Sequence, residues 1–452
     1  MNIYIHCCSY IAQRDFLLCY SPRDKNSKHK DIPIKMPVIT DISGLSKHLK
    51  NYSDADNQQS ETEISNIACV SGIPGINSFK NSFWTARQRQ ASSIHEVSYR
   101  ACFKPQLPRF FIDLLTDPGD YVYDPFTGRG TTIIEAALLG RKVISNDINP
   151  LSRILCESRL LIPGIDETQK RLLDIESERE TISDFCLPMF YHPETESEIV
   201  NLKNYLERRR VNKTEDNIDR WIRMTATNRL TGHSPGFFSV YTLPPNQAVS
   251  KESQIKINEK RGQIPEYRDT SALILKKSRR LLKNIGVNEK ELLLNAGKSS
   301  VFLTSDAGNT PEIADNSIKL TVTSPPFLNI VQYAKDNWLR CWFNSLDEKE
   351  IAKKITMSAT LSSWCVAMDA VFKELYRVTK PGGWVAFEVG EVRNGKIRLD
   401  EHVVPLGVSQ GFECAGVLIN EQNFTKTSNI WGISNKKRGT NTNRVVIFRK
   451  NE

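Results

Sequence analysis

Apolar positions along this chain fall into distinct regimes. Through residues 1–82 they recur with no sustained period, and "SPRDKNSKHK", "NYSDADNQQSETE" and "SGIPGINS" are polar or broken by glycine and proline. Such a stretch builds no apolar face and reads as a loosely ordered N-terminal arm with short elements. From about residue 83 the pattern sharpens. "PQLPRFFIDLLT" places apolar residues at helical spacing, "DPGD" turns the chain, and "YVYD" is a short strand running into the glycine turn "PFTGRG". "TTIIEAALLG" predicts a helix closed by Gly140, and "RKVISND" predicts a second strand ending in an acid.

Between about 151 and 297 the pattern changes again. "ETQKRLLDIESERETISDF", "ESEIVNLKNYLERRR" and "SALILKKSRRLLKNI" predict charged helices, and Gly232 to Asp269 is loop-rich with basic residues among aromatics. Strand patterns resume in "VFLTSDA" and "SIKLTVT", a long helix follows in "SSWCVAMDAVFKELYRVT", and "GGWVAFEVG" and "NRVVIFRK" supply further strands. Strand, glycine turn, helix, strand and acid open a nucleotide-binding α/β unit. The expected organisation is an arm (1–82), the first part of an α/β sheet domain (83–150), an inserted and partly helical region that is the candidate for recognising a nucleic-acid target (151–297), and the second part of the sheet domain (298–452). No internal repeat interrupts it.

The glycine turn carries the first candidate chemistry. Gly128 and Gly130 let backbone approach a ligand, with a helix N-terminus aimed at the same place. The Lys-Ser/Thr of a phosphate-binding loop is missing, as is a third glycine at the dinucleotide position. Asp147, at the end of the second strand, suits paired hydrogen bonds to two ribose hydroxyls. A ribose without a phosphate cradle points to S-adenosylmethionine, and Asp306 after the third strand is placed to meet its adenine edge.

The second candidate is "TSPPF", where two prolines stop a strand abruptly. Ligands of open α/β sheets lie beyond the carboxyl ends of strands. A rigid turn there presents the Ser324 hydroxyl and Pro325 carbonyl as acceptors, braced by Pro326, and Phe327 offers a flat face for a planar base. Accepting both N–H bonds of an exocyclic amine localises its lone pair and aims it at a methyl donor, without a cysteine nucleophile.

With these motifs the sequence resembles the DNA amino-methyltransferases of restriction-modification systems. "DPFTGRGTT" looks like their cofactor motif, "TSPPF" like their catalytic motif and "VTKPGGWVAFEVG" like a later strand-turn. "YRACFKPQLPRFFI" resembles the segment that packs over the methionine part of the cofactor. The resemblance covers Ser98 to Asp147 and Ser305 to about Gly390, leaving the arm and the insertion outside. It implies a Rossmann-like S-adenosylmethionine-dependent methyltransferase sheet with helices on both faces. It also implies cofactor contacts from Phe103, Asp124, Phe126 and Thr131, beside Gly128, Gly130, Asp147 and Asp306. Ser-Pro-Pro-Phe in that family implies methylation of the 4-amino group of cytosine in double-stranded DNA, protecting the site from a cognate restriction endonuclease. The cofactor motif precedes the catalytic motif here, an order more usual among the family's adenine enzymes. Adenine 6-amino methylation is therefore one alternative, and an RNA amino-methyltransferase is another.

Composition agrees with this outline. Among 452 residues, 61 Lys and Arg against 52 Asp and Glu give a net charge of +9, which suits a nucleic-acid partner. The basic runs "ERRR", "KINEKR" and "KKSRR" of the insertion, and the C-terminal "KTSNIWGISNKKRGTNTNR", are candidates for holding a duplex whose target base must be extruded. Ten cysteines without a Cys-x-x-Cys pair, and seven histidines without ligand spacing, predict reduced thiols and no metal site. No stretch approaches the roughly 20 apolar residues of a membrane span. The N-terminus lacks an apolar core with a cleavage site, so a cytoplasmic protein is expected.

Overall fold

The computed structural model describes residues 37–53, 61–67, 73, 75–84, 91–100, 102–178, 186–243, 247–326, 333–355, 360–392, 397–421 and 442–452. Its strands are β1 (Glu63–Ile67), β2 (Ile76–Asn81), β3 (Tyr121–Asp124), β4 (Lys142–Asn146), β5 (Val301–Leu303), β6 (Ile318–Thr323), β7 (Thr379–Val389), β8 (Glu391–Val392), β9 (Ile397–Arg398), β10 (Phe412–Glu421) and β11 (Thr442–Lys450). Nine of them form one sheet in the order β1-β2-β10-β11-β7-β6-β3-β4-β5, and β8 pairs with β9 in a separate hairpin.

The central strands read as near-continuous apolar runs because both of their faces are covered. Their side chains alternate between two layers. Val122, Leu320, Val322 and Ala386 join the core of helices Gln106–Leu115, Thr131–Leu138 and Val287–Ser299. Tyr123, Val385 and Phe387 join that of helices Leu361–Val378 and Asp400–Ser409. This is the α/β sheet with helices on both faces expected from the sequence. From β3, parallel pairing runs outward to β4 and β5 on one side and to β6 and β7 on the other. β11 lies antiparallel between β7 and β10. The β3–β6 boundary is where strand order reverses, and a crevice opens at such a switch point.

The N-terminal segment contributes more order than its polar sequence predicts. Helix Ile42–Lys50 buries Leu45 and Leu49 in the first layer, and β2 pairs in parallel with β10. Asn420 of β10 completes the junction, its Oδ1 accepting from the amides of Phe83 (2.8 Å) and Trp84 (3.2 Å). The pattern "EISNI…INSFKN" hides this because β1 is largely exposed and β2 owes its place to a strand more than 300 residues away.

Residues 151–297 also divide physically. Leu155 and Cys156 of helix Leu151–Glu157, and Leu293 and Ala296 of helix Val287–Ser299, belong to the sheet's own core. Between them a separate core forms around Leu172, Tyr191, Leu202, Ile222, Phe238 and Ile274. It also takes in Leu339 and Phe343 of helix Trp338–Phe343, which follows β6. Within the stretch read as loop-rich lies one further helix, Lys251–Arg261, capped by Ser250. It buries only Gln254, so it has no apolar stripe for a sequence pattern to display.

Replacing Asn420 by Leu strands two buried amides at the β10 junction. The expected cost is about 1–3 kcal/mol for each, read as a lower urea midpoint at unchanged slope.

Candidate active site at the switch point

At the carboxyl end of β3 the chain turns through Asp124–Gly130 into helix Thr131–Leu138. Asp124 is 1% exposed, and its Oδ1 accepts from the Phe126 amide (3.2 Å) and the Thr323 hydroxyl at the end of β6 (2.6 Å). It therefore ties the two strands where they part. Burial outweighs these bonds and pushes its carboxyl up to about 7.

Gly128 and Gly130 both adopt positive φ, at 53° and 80°. A Cβ on Gly130 would stand 2.5 Å from the Cys156 Sγ, so the close approach required there is by the protein's own helix Leu151–Glu157. At Gly128 the nearest ring is Tyr99, 3.7 Å from a notional Cβ. The Gly128 amide donates to Asp147 Oδ2 (2.8 Å) and the Asn149 amide to Oδ1 (2.9 Å). Burial pushes Asp147 up to about 6, and it makes no ion pair among the described residues. Such a carboxylate has lone pairs left for further hydroxyl donors, which fits a ribose diol.

Asn146, fully buried, joins the neighbouring loops. Its amide group donates to the Pro125 carbonyl (3.3 Å) and the Ser305 carbonyl (3.0 Å), its Oδ1 accepts from the Ser305 amide (2.9 Å), and its own carbonyl accepts from the Thr127 amide (3.0 Å). Thr131 is buried and its hydroxyl accepts from Arg129 Nε at 3.2 Å. Arg129 also donates to the carbonyls of Val97 (3.1 Å) and Phe103 (3.4 Å). Phe103 and Phe126 are partly buried beside this turn, whereas Asp306 is exposed beyond β5 and accepts from the Gly308 amide at 2.8 Å.

At the end of β6 the Ser324 hydroxyl donates to Glu388 Oε2. Asn443 of β11 donates to the other oxygen of that carboxylate at 3.0 Å. Glu388 is 7% exposed and burial raises its carboxyl above the usual range. Pro325 is buried, and the Pro326 carbonyl accepts from Trp364 Nε1 at 3.0 Å, which fixes the turn. Phe327 lies outside the described residues. Sequence reasoning passed over Glu388, although an acid inside the apolar run "WVAFEV" is the kind of buried charge that marks a site.

Residues 96–100 form a strap without regular secondary structure between this site and the insertion. On one side Val97 meets Arg129, and the Tyr99 hydroxyl lies 3.3 Å from Asn149 Nδ2. On the other, the Ser98 amide donates to Asn228 Oδ1 (2.7 Å), its carbonyl accepts from Arg340 (3.0 Å), and Arg100 pairs with Asp336.

The basic runs separate by environment. In Glu207–Arg210, Arg209 pairs with Asp219 and Asp216, and Arg210 pairs with Glu207, so this run is largely spent within the insertion. Lys277 is buried against the Glu96 carbonyl, while Lys276, Arg279 and Arg280 of the same helix are exposed. Arg261 of "KINEKR" lies over the Tyr241 ring, its Cζ 3.8 Å from the centre. Residues 422–441 of the C-terminal basic run lie outside the described residues. No group of three or more His, Cys, Asp or Glu could hold a metal among the described residues, and no helix there is long and apolar enough to cross a membrane.

Residues 6–152 match the DNA methylase family. The chain is related to the DNA amino-methyltransferases. It is 23% identical over 287 residues to the type II methyltransferase M.BsoBI of Geobacillus stearothermophilus, covering 57% of this chain and 54% of that protein. It is 32% identical over 97 residues to the type II methyltransferase M.MjaII of Methanocaldococcus jannaschii, covering 22% of this chain and 18% of that protein. The chain thus spans about half the length of the first relative and less of the second. Among solved structures, the rRNA methyltransferase aviRa of Streptomyces viridochromogenes aligns over 82% of this chain and 95% of its own at 11% identity, with a TM-score of 0.34. The DNA methylase match implies S-adenosylmethionine as the cofactor. It begins well inside the N-terminal segment that the motif resemblance left out.

Two measurements test the packing and protonation of this turn. Gly130→Ala meets Cys156 at a positive φ, so it should lower stability by at least the ~1–3 kcal/mol of a strained backbone position, seen in thermal melts without cofactor. Asp124 holds a proton when folded that the unfolded chain releases between about pH 4 and 7. Its contribution to stability therefore falls as pH rises through that window. Asp124→Asn keeps an oxygen for both bonds and cannot ionise. In urea denaturation its stability relative to the parent should climb across the window, by at most about 1.4 kcal/mol per pH unit.

Proposed function

We propose that this protein transfers a methyl group from S-adenosylmethionine to the exocyclic 4-amino group of cytosine in double-stranded DNA, and so protects a site from a cognate restriction endonuclease. The observation that carries this reading is the polarity of Ser324. Its proton is committed to Glu388, so the oxygen offers lone pairs to whatever lies beyond the turn. An acceptor pair made by the Ser324 hydroxyl and the Pro325 carbonyl matches the two N–H donors of an exocyclic amine. The serine in first position of Ser-Pro-Pro-Phe favours cytosine within the related family.

S-adenosylmethionine supplies an electrophilic methyl group on a sulfonium centre. The protein's share is orientation. Asp147, with the Gly128 amide already bound, receives the ribose hydroxyls, while Gly128 and Tyr99 form the wall beside it. Ser324 and Pro325 hold both amine hydrogens out of the ring plane, so the nitrogen lone pair localises toward the methyl group. Phe327 stacks on the extruded base. Once methylated, the nitrogen is acidic and releases a proton. Glu388, whose proton affinity is raised by burial, takes it up through Ser324.

Incubation with unmethylated genomic DNA, then digestion to nucleosides, tests the assignment. 4-Methylcytosine is expected; 6-methyladenine would move the assignment to adenine, and no methylated base would remove the reaction. Ser324→Ala should slow single-turnover transfer on the order of 10²-fold with DNA and cofactor affinity retained. Glu388→Gln should slow the same step in the same way. Phe327→Ala should weaken base capture by ~1–3 kcal/mol. Normal transfer rates in all three would remove this turn from the active site.

A further inference from the structure

Four cationic side chains gather along the outer side of the Glu96–Arg100 strap, with the Glu96 carboxylate among them and the Asp336 carboxylate, paired with Arg100, at the far end. Arg229 lies on the Phe237 ring, its Cζ 4.1 Å from the centre. Its guanidinium donates to main-chain carbonyls, those of Asn228 (2.9 Å) and Gly236 (3.2 Å), and makes no ion pair among the described residues. Lys277, 5% exposed, donates to the Glu96 carbonyl and stands 3.9 Å from the Glu96 carboxylate. Arg280 pairs with that same carboxylate while remaining 67% exposed. Arg340 reaches the strap from the far end through the Ser98 carbonyl.

The charges act on one another. Burial, then the Arg229 charge, drops Lys277 to about 7, and burial with the Arg280 and Arg340 charges drops Arg229 to about 10. Cations crowded together and partly withdrawn from water are unfavourable unless an anion completes them. A guanidinium on an aromatic ring beside a second, exposed guanidinium matches the donor geometry that a phosphodiester accepts. The location matters equally. The strap's other side accepts from Arg129 at Val97 and sets the Tyr99 ring 3.7 Å from a notional Cβ on Gly128, so the strap joins the cluster to the glycine turn. Lys276 and Arg279, exposed on the same helix as Arg280, continue the positive surface outward.

We propose that Arg229 and Arg280 form a subsite for a backbone phosphate of the DNA strand carrying the target base. This rests on the DNA methyltransferase reading above and adds to it where the strand is gripped while its base is extruded. In this arrangement the Glu96 carboxylate holds Arg280 in place in the absence of DNA and yields it to the phosphate.

The test is anisotropy of sheared, labelled duplex DNA on the full chain across a salt series, beside calorimetry with S-adenosylmethionine. Arg229→Gln and Arg280→Gln should each weaken DNA binding about tenfold near physiological salt and reduce the log-affinity against log-salt slope by about 0.9. Cofactor affinity should be retained. Glu96→Gln should tighten DNA binding, an outcome that a merely structural Glu96 would not produce; exposed Arg280 keeps the test informative if Arg229→Gln fails to fold. Unchanged slopes in the arginine variants, with no tightening in Glu96→Gln and a parent that still methylates DNA, would overturn the subsite alone. A parent that neither binds nor methylates duplex DNA would overturn both readings. Inorganic phosphate binding that is lost in both arginine variants while DNA affinity is unchanged would assign the cluster to a free anion and overturn the proposal.

Discussion

The hydrogen bond from Thr323 to Asp124 spans the one place in the sheet where two adjacent parallel strands send their chains in opposite directions. Everything at the site hangs from it. β3 must release its chain into the glycine turn and β6 must release its chain into the proline turn. Neither exit can use the sheet ladder to fix its geometry. A buried carboxyl accepting from the partner strand and from its own loop supplies what the ladder cannot. Asn146 does the same one strand further out, using both ends of its amide to join the loops after β3 and β5. The crevice is thus framed by side-chain bonds in a low-dielectric interior, where a missing partner is costly and the geometry is correspondingly narrow.

The remaining polar groups at the strand ends fall into two sets. Asp124 and Asn146 spend their acceptors and donors inside the protein. Asp147 and Ser324 keep capacity in reserve, the first because backbone amides use only part of its carboxylate, the second because Glu388 takes its proton and leaves its lone pairs. On the proposed function, that division separates the groups that shape the pocket from those that face a ligand. β11 takes part as well, since Asn443 holds the second oxygen of Glu388. The antiparallel strand wedged between β7 and β10 therefore reaches Ser324 through the Glu388 carboxylate.

Much of this was legible in the sequence, and the reasons for the rest are physical. The strand, turn and helix around Gly128 announce themselves because apolar periodicity, positive-φ glycines and a terminal acid coincide within a few dozen residues. The double proline marks the end of β6 for the same local reason. The positions that escaped are those whose role depends on distant partners. β2 looks like a polar connector until β10 lies beside it. Glu388 looks like one acid in a strand until Ser324 and Asn443 close on it. Lys277, grouped by spacing with exposed neighbours, faces inward because the strap lies against its side of the helix. Phe327 is outside the described residues, so its part rests on the motif alone.

The inserted region has a hydrophobic core of its own, yet that core is not contiguous in sequence. Leu339 and Phe343, which complete it, come from the helix that follows the proline turn, on the far side of two sheet strands. This bears on how the region can be exchanged, over evolutionary time or in an engineer's hands. A graft that exchanged residues 172–274 alone would leave an apolar helix beyond the proline turn packed against an unfamiliar surface. A replacement region would have to arrive as a matched pair of segments, one before β5 and one after β6.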